Sequence, residues 1–317
     1  MERRLLLLLN PCSGQKKANR LLPEIIRYYN SCGFEVVTYV TSCSGDATEY
    51  MKEKGRGFDH IVCVGGDGTL NETIAGLIAG GVNCPVGYIP AGTTNDYASS
   101  LGLSSDILQA AKDAVDGEPC SFDLGSFNGR HFIYTASCGA FARTSYTTSQ
   151  AAKNLLGHLA YVLEGMRDLS TLRAMHMRIE CDDRVLEGDY IFCAVTNSLS
   201  VGGILKLDPE MVRLNDGMFE VMLVKNPTLP IHWTKILLAL RTCDLPSEMI
   251  EFFTADRLKI TTEADVEWTL DGEQGENGHS FEIVNLPNRI QLMLPVAAVE
   301  NLSLEATQDD AEDQLSD

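Results

Sequence analysis

The stretch VCVGGDGTLNE, residues 62–72, runs an apolar strand into Gly65, Gly66, Asp67, Gly68 and Thr69 and then into a helix. A turn alone needs one glycine. Several glycines around an acid mark a backbone that something must approach closely. Two other turns have the same character: NPCSGQ at 10–15 after an apolar strand, and PAGTTND at 90–96 after VGYIP. Each offers N–H groups without obstructing side chains, with hydroxyls from Ser13, Thr69, Thr93 and Thr94. A helix start after the second turn adds free donors and the positive end of a dipole. The chemistry this pattern suits is polyphosphate binding. A carboxylate at Asp67 would repel phosphate unless a cation lay between them, so it implies Mg²⁺. One such loop would serve equally as a tight strand–helix connection. Three at the ends of successive strands point to a ligand. The pattern G-x-x-x-x-G-K-[ST] is absent, and G-x-G-x-x-G does not follow the first strand.

Loops of this kind bind ligands when they end the parallel strands of an α/β sheet. RLLLLLN is a continuous apolar run, as a strand buried on both faces requires. FEVVTYV, HIVCV and VGYIP read as further strands, with helices expected at 46–54, 70–80 and 105–116. From Ala18, apolar residues recur at Leu21, Leu22, Ile25, Ile26 and Tyr29, a helical stripe. Pro23 interrupts it, so a kink or a late start is expected. The alternation means βαβ units and a parallel sheet with helices on both sides.

After residues 121–140 the rhythm changes. One long helix is expected at 145–168, and then almost only strands: AMHMRIECD, RVLEGDYIFCAVTN, GMFEVMLVK, DRLKITTE, VEWTLDGE and HSFEIV. Period-two alternation between turns reads as an antiparallel sandwich or barrel, interrupted by one amphipathic segment, IHWTKILLALRT. The expected fold is therefore an α/β domain over 1–124 and a mainly antiparallel β-sandwich domain over 125–289. A final strand over 290–304 returns to the first domain, and an acidic tail over 305–317 lacks fixed structure.

Composition narrows the function. The 317 residues suffice for two domains, and 44% hydrophobic with 22% charged residues is ordinary for globular protein. A net charge of −19 opposes general nucleic-acid binding, which needs a basic face. Ten scattered cysteines show neither C-x-x-C nor metal-ligand spacing, so reduced thiols are expected, several of them in the core. The start, MERRLLLLLNPCSG, is too short in its apolar run for the ~7–15-residue centre of a signal peptide. No stretch approaches the ~20 apolar residues of a membrane span, so a soluble, cytoplasmic protein is expected.

VGGDGTLNE, with NPCSG upstream and PAGTTNDYA downstream, closely resembles the diacylglycerol kinase and sphingosine kinase superfamily. Within it the match is to the bacterial soluble diacylglycerol kinases and the YegS-like lipid kinases. LNDGMFEVMLV and WTLDGEQG follow in the expected order, so the resemblance covers nearly the whole chain. GGDGT alone is shared with NAD kinases and phosphofructokinases; its fusion to LNE and the late DGE are the specific part. The resemblance implies that Asn10, Pro11, Cys12, Ser13, Gly14, Thr41, Gly66, Asp67, Gly68, Thr69, Leu70, Asn71, Glu72 and Thr93 contact ATP. It also implies a structural Mg²⁺ at RLNDGM, held by the carboxylate of Asp216 and the carbonyls of Arg213 and Met218. Asp67 and Asp123 would join the metal and its waters. Asn215 stands where relatives often carry a second aspartate, which puts the affinity of that loop in question; taken alone, LNDG is a good turn.

Phosphoryl transfer needs positioning, charge neutralisation and an acceptor for the hydroxyl proton. The resemblance makes Asp271 and Glu273 of the DGE motif the candidate bases without cleanly separating them. It favours Glu273, with Asp271 next and alternatively a holder of metal or water. Asp96 reads as a supporting carboxylate or an ordinary helix cap. Between residues 143 and 178, Arg143, Lys153, Arg167, Arg173 and Arg178 outnumber Glu164 and Asp168 in an otherwise acidic chain. The helix there is either core or a face resting on a bilayer, with Lys16, Lys17, Lys153 and Arg167 as docking candidates.

The expected activity is ATP- and Mg²⁺-dependent phosphorylation of diacylglycerol to phosphatidate. The protein would be peripherally membrane-associated, with a homodimer left open. The alternatives are a kinase for a sphingosine-like lipid or phosphatidylglycerol, an NAD kinase, and a nucleotide sensor without turnover. The DGE carboxylates speak against the last, because binding alone needs no base.

Overall fold

The computed structural model describes residues 3–14, 17–93, 95–139, 173–182, 184–201, 205–207 and 212–299. The helix expected at 145–168, the acidic tail, Thr94 and the docking candidates Lys16, Lys153 and Arg167 lie outside the described residues. The chain forms two compact units, Met1–Phe122 with Arg289–Asp317, and Asp123–Asn288.

The first unit alternates β1 (Arg3–Leu9), α1 (Lys17–Ser31), β2 (Phe34–Val40), α2 (Asp46–Lys54), β3 (His60–Gly65), α3 (Asp67–Gly80), β4 (Val86–Pro90), α4 (Asp96–Ser100) and α5 (Ile107–Asp116), and ends in β5 (Glu118–Phe127). The sheet runs β2-β1-β3-β4, all parallel. Leu5, Leu6, Leu7 and Leu8 have no exposed surface, so both faces of β1 are covered. Each buried leucine contributes roughly 1.5–3 kcal/mol, which makes β1 the anchor of the sheet. One face packs on Ile25 and Tyr29 of α1 and on Ala110, Ala111 and Ala114 of α5. The Tyr29 hydroxyl donates to the Ala111 carbonyl at 3.0 Å, and His60 Nε2–H to the Ala114 carbonyl at 2.7 Å. Helix α1 starts at Lys17 and runs through Pro23 rather than starting late. The buried stripe on Ile25 and Tyr29 holds it despite the N–H that proline lacks.

The second unit is an antiparallel β-sandwich. After β5 come β6 (Arg130–Phe132), β7 (Thr135–Gly139), β8 (Met175–Cys181), β9 (Arg184–Thr196), β10 (Ser200–Val201), β11 (Leu205–Lys206) and β12 (Phe219–Lys225). Helix α6 (Pro230–Thr242), β13 (Ile250–Ala255), β14 (Arg257–Leu270) and β15 (Glu273–Leu294) complete it. The order β13-β12-β9-β7-β14-β15 is antiparallel at every step, and β8 bridges β9 and β14. Trp268, Phe127 and Phe281 centre its core, with ring centroids 5.0–5.5 Å apart.

Two details differ from the sequence reading. DRLKITTE and VEWTLDGE form one strand, β14, whose pairing slips between Thr261 and Val266; the irregularity absorbs the apparent break. HSFEIV and RIQLMLP likewise lie in the single 22-residue β15, whose Leu292 pairs in parallel with Val86 of β4 in the first unit. Cys12 and Cys43 are exposed, while Cys63, Cys84, Cys138, Cys181 and Cys193 are buried; all ten cysteines are free. No helix among the described residues is long and apolar enough to cross a membrane.

Candidate active site

The three glycine turns stand side by side at the carboxyl ends of β1, β3 and β4, because those strands are neighbours in the sheet. Asn10 fixes the first turn: its N–H donates to the Val64 carbonyl at 2.9 Å, and its Oδ1 accepts from the Cys12 N–H at 3.0 Å. Its Nδ2 donates to Thr69 Oγ1 at 3.0 Å, tying the first loop to the second. The Ala91 N–H donates to the Gly65 carbonyl at 2.7 Å, tying the second to the third. Gly14 has φ +49°, and a Cβ there would stand 2.3 Å from the Ala91 carbonyl oxygen. A Cβ on Gly92 would stand 2.6 Å from the Gly66 Cα. Main chain meets main chain, which only glycine permits.

A cavity of about 380 Å³ opens beside these turns, lined by Gly14, Ala18, Pro90, Ala91, Gly92, Thr93, Asn95, Ser105 and Ile107. Thr93 is exposed, and Pro11, Ser13 and Asn71 are partly so. Gly66 caps α3 without a side-chain bond, and Gly68, in the first helical turn, is half-buried. Anions favour such an end.

Other members of the motif are committed elsewhere. Leu70 is fully buried and its N–H goes to the Gly66 carbonyl at 3.1 Å. Glu72 accepts from the Gly45 N–H at 2.8 Å and from Ser44 Oγ at 3.2 Å, satisfying the start of α2. Buried Thr41 bonds the Leu9 carbonyl through its N–H at 2.9 Å. Asp67 is 7% exposed; its carboxylate accepts from the Tyr88 hydroxyl at 3.2 Å and from the Asp96 N–H at 2.9 Å. These donors fix its orientation. Asp96 is the first residue of α4 rather than its cap, which is Asn95 at φ 51°.

In the second unit a group of acids surrounds the loop 212–218. Asp123 is fully buried; its two oxygens accept from the Gly217 N–H at 2.6 Å and the Asn288 N–H at 2.7 Å. Asp216 Oδ1 accepts from the Met218 N–H at 2.9 Å, and the Met218 carbonyl accepts from Asn285 Nδ2 at 3.0 Å. Partial desolvation, with a smaller repulsion from Asp123, raises the Asp216 carboxyl above its ordinary range. Burial pushes Glu220 up to about 9, with Asp216 and Asp123 adding to it. Glu220 Oε2 is buried without a hydrogen-bond partner. Burial disfavours the ionised form of Asp216 and Glu220, a cost that a divalent cation at this loop would offset, but among the described residues no group of three or more His, Cys, Asp or Glu side chains converges as a ready-made metal site.

Sequence reasoning missed Glu220. Its signal is a single acid inside FEVMLVK, a strand whose first six residues are all buried.

The DGE pair separates clearly. Asp271 is 6% exposed, at φ 50° in the turn between β14 and β15. Its carboxylate accepts the N–H groups of Ile133, Tyr134 and Thr135 at 2.7, 2.9 and 3.0 Å. It staples the turn to the approach of β7. Glu273 opens β15 with its side chain 52% exposed, Oε2 3.7 Å from Arg130 Nη2.

The diacylglycerol kinase catalytic domain matches residues 4–127, and the YegS C-terminal NAD kinase beta sandwich-like domain matches residues 135–294. The diacylglycerol kinase of Bacillus subtilis is 37% identical over 92% of this chain and 97% of its own. That of Staphylococcus saprophyticus is 31% identical over 93% and 96%. Among solved structures, a diacylglycerol kinase from Bacillus anthracis superposes with TM-score 0.71 at 24% identity, over 94% of this chain and 98% of that one. An NAD kinase from Archaeoglobus fulgidus in complex with ATP shares the fold with TM-score 0.52 at 11% identity, over 95% and 98%.

Proposed function

We propose that this chain, which belongs to the diacylglycerol kinase family, transfers the terminal phosphoryl group of ATP to the hydroxyl of diacylglycerol, giving phosphatidate. The observation that carries the reading is the meeting of three glycine turns, main chain against main chain, beside a cavity at the end of a parallel sheet. Polyphosphate would lie on the N–H groups of these turns and on the Ser13 and Thr93 hydroxyls. When bound, Mg²⁺ neutralises phosphate charge. Asp67 is the acid of the loops that would hold it. The loop around Asp216 would hold a second, structural ion, through that carboxylate and the Arg213 and Met218 carbonyls, with Asp123 supporting the loop.

Glu273 is the base in this reading. A base must reach the hydroxyl and accept its proton, and a half-exposed carboxylate at a strand start can do so. Asp271 is engaged by three main-chain donors and serves to hold the turn. Because diacylglycerol stays in the bilayer, the protein would work peripherally at a membrane surface.

The test is transfer from γ-labelled ATP with Mg²⁺, using diacylglycerol, sphingosine, phosphatidylglycerol and NAD as separate acceptors. Label in phosphatidate is expected. Label in another lipid would move the acceptor, and label only in the NAD product would replace the reading with the nucleotide kinase.

A further inference from the structure

Two turns of the same kind stand along β15. Asn128 and Gly129, between β5 and β6, have φ +49° and +87°; Asp271 and Gly272, between β14 and β15, have φ +50° and +78°. Asn-Gly and Asp-Gly in this left-handed conformation make the two-residue hairpin turn that fixes the register of its strands. β5 pairs with β15, and Asn128 ties the first turn to that strand at three points. Its N–H donates to the Glu282 carbonyl at 2.9 Å, its Oδ1 accepts from the Glu282 N–H at 2.8 Å, and its Nδ2 donates to Glu276 at 2.7 Å.

Arg130, which closes the first turn opposite Phe127, reaches across to the second. Its Nη1 donates to the Gln274 carbonyl at 3.0 Å, and its Nη2 lies 3.7 Å from Glu273 Oε2. One planar guanidinium thus spans the main chain just after Glu273 and the carboxylate of Glu273 itself. A lysine ammonium offers no such fork. Asp271 fixes the turn from which Glu273 projects, but the glutamate side chain has several rotatable bonds beyond that point. An exposed pair at this distance adds little to stability, so its consequence lies in the state and direction of the carboxylate.

The neighbouring titratable groups have other engagements. Glu276 takes Asn128, Glu267 accepts from Gln274 Nε2 at 3.0 Å, and Asp271 holds its three N–H groups. His131 follows Arg130 and is half-buried.

We propose that Arg130 is a positioning residue for Glu273: its guanidinium holds that carboxylate ionised and fixed in direction at the start of β15. The proposal rests on the reading of Glu273 as the base. A base accepts a proton only when ionised, and a cation beside a carboxylate favours the ionised form. Without Arg130 the carboxylate takes up its proton at higher pH and its direction is no longer fixed.

The test follows the carboxylate itself. Protein labelled with ¹³C at the glutamate carboxyl is titrated by NMR, and the signal missing from Glu273→Gln identifies Glu273. The wild type is compared with Arg130→Gln, Arg130→Lys and the control Arg257→Gln, which removes another exposed arginine paired to β15. In Arg130→Gln the Glu273 midpoint should rise by about half a pH unit or more at low salt, and the difference should shrink at high salt. The acid limb of the turnover profile should move upward with it. Above that limb, turnover should fall about tenfold through lost orientation, with an unchanged KM for ATP and an unchanged melting temperature. Arg130→Lys keeps the charge without the fork, so it should restore the midpoint and only part of the turnover. Arg257→Gln should match the wild type throughout.

The same Glu273 midpoint in the wild type and Arg130→Gln would overturn the proposal. So would a shifted midpoint with unchanged turnover and an unmoved acid limb, or a loss of turnover explained by a fallen melting temperature. The NMR titration requires no turnover, so failure of the kinase reading and failure of the Arg130 assignment are distinguishable.

Discussion

Asp271 and Glu273 are two residues apart in one motif and have opposite circumstances. The first is sealed in the sandwich with three N–H donors on its carboxylate; the second is half in solvent. Position in the motif does not reveal this, because the donors come from residues 133–135, more than a hundred positions away. A hydrogen bond to a charged group contributes ~1.5–3 kcal/mol. Asp271→Ala would strand three buried donors, so the thermal midpoint should fall by ~10 °C or more. An unmoved midpoint would show that the staple holds nothing. Glu72 and Leu70 teach the same lesson: they belong to the recognisable motif, yet one satisfies the start of α2 and the other fills the core.

At the scale of elements, periodicity was informative where one face or both faces are buried over a full length. β1 to β4, α2, α3 and α5 were legible for that reason. Helix α4, five residues long, is too short for a period to register. Strands β5 to β7 and β13 also escaped, because glycine and turn residues interrupt the first three and IEFFTA lacks strict alternation. IHWTKILLALRT was read as amphipathic, whereas α6 is apolar on an exposed side as well.

Two elements support measurable expectations. His60 on β3 is buried and held neutral by desolvation, with its proton on the Ala114 carbonyl of α5. Its folded pKa lies below the ordinary 6.5, so its contribution to stability is present above about 6.5 and is lost as pH falls through the folded value. The midpoint should therefore decline on acidification below 6.5, and His60→Gln should flatten that part of the profile; an unchanged profile would exclude His60 as the cause. For the loop 212–218, chelation followed by Mg²⁺ should raise the melting temperature of the wild type and leave Asp216→Ala nearly unmoved. Equal shifts in both proteins would place the ion elsewhere.

For the molecule as a whole, the two-domain fold was legible from the change of rhythm after residue 120, and the relatives share it from end to end. Composition alone would not have chosen among phosphate-handling enzymes; the order of the motifs along the chain did. The central claim is that phosphoryl transfer to a lipid hydroxyl passes through Glu273. It is tested most directly by phosphatidate formation from labelled ATP and a short-chain diacylglycerol, comparing the wild type with Glu273→Gln. Loss of a general base lowers turnover by ~10²–10⁴-fold. Because the side chain is half exposed, the variant should keep its melting temperature and its affinity for ATP. Phosphatidate formed at the wild-type rate by the folded Glu273→Gln protein would contradict the account.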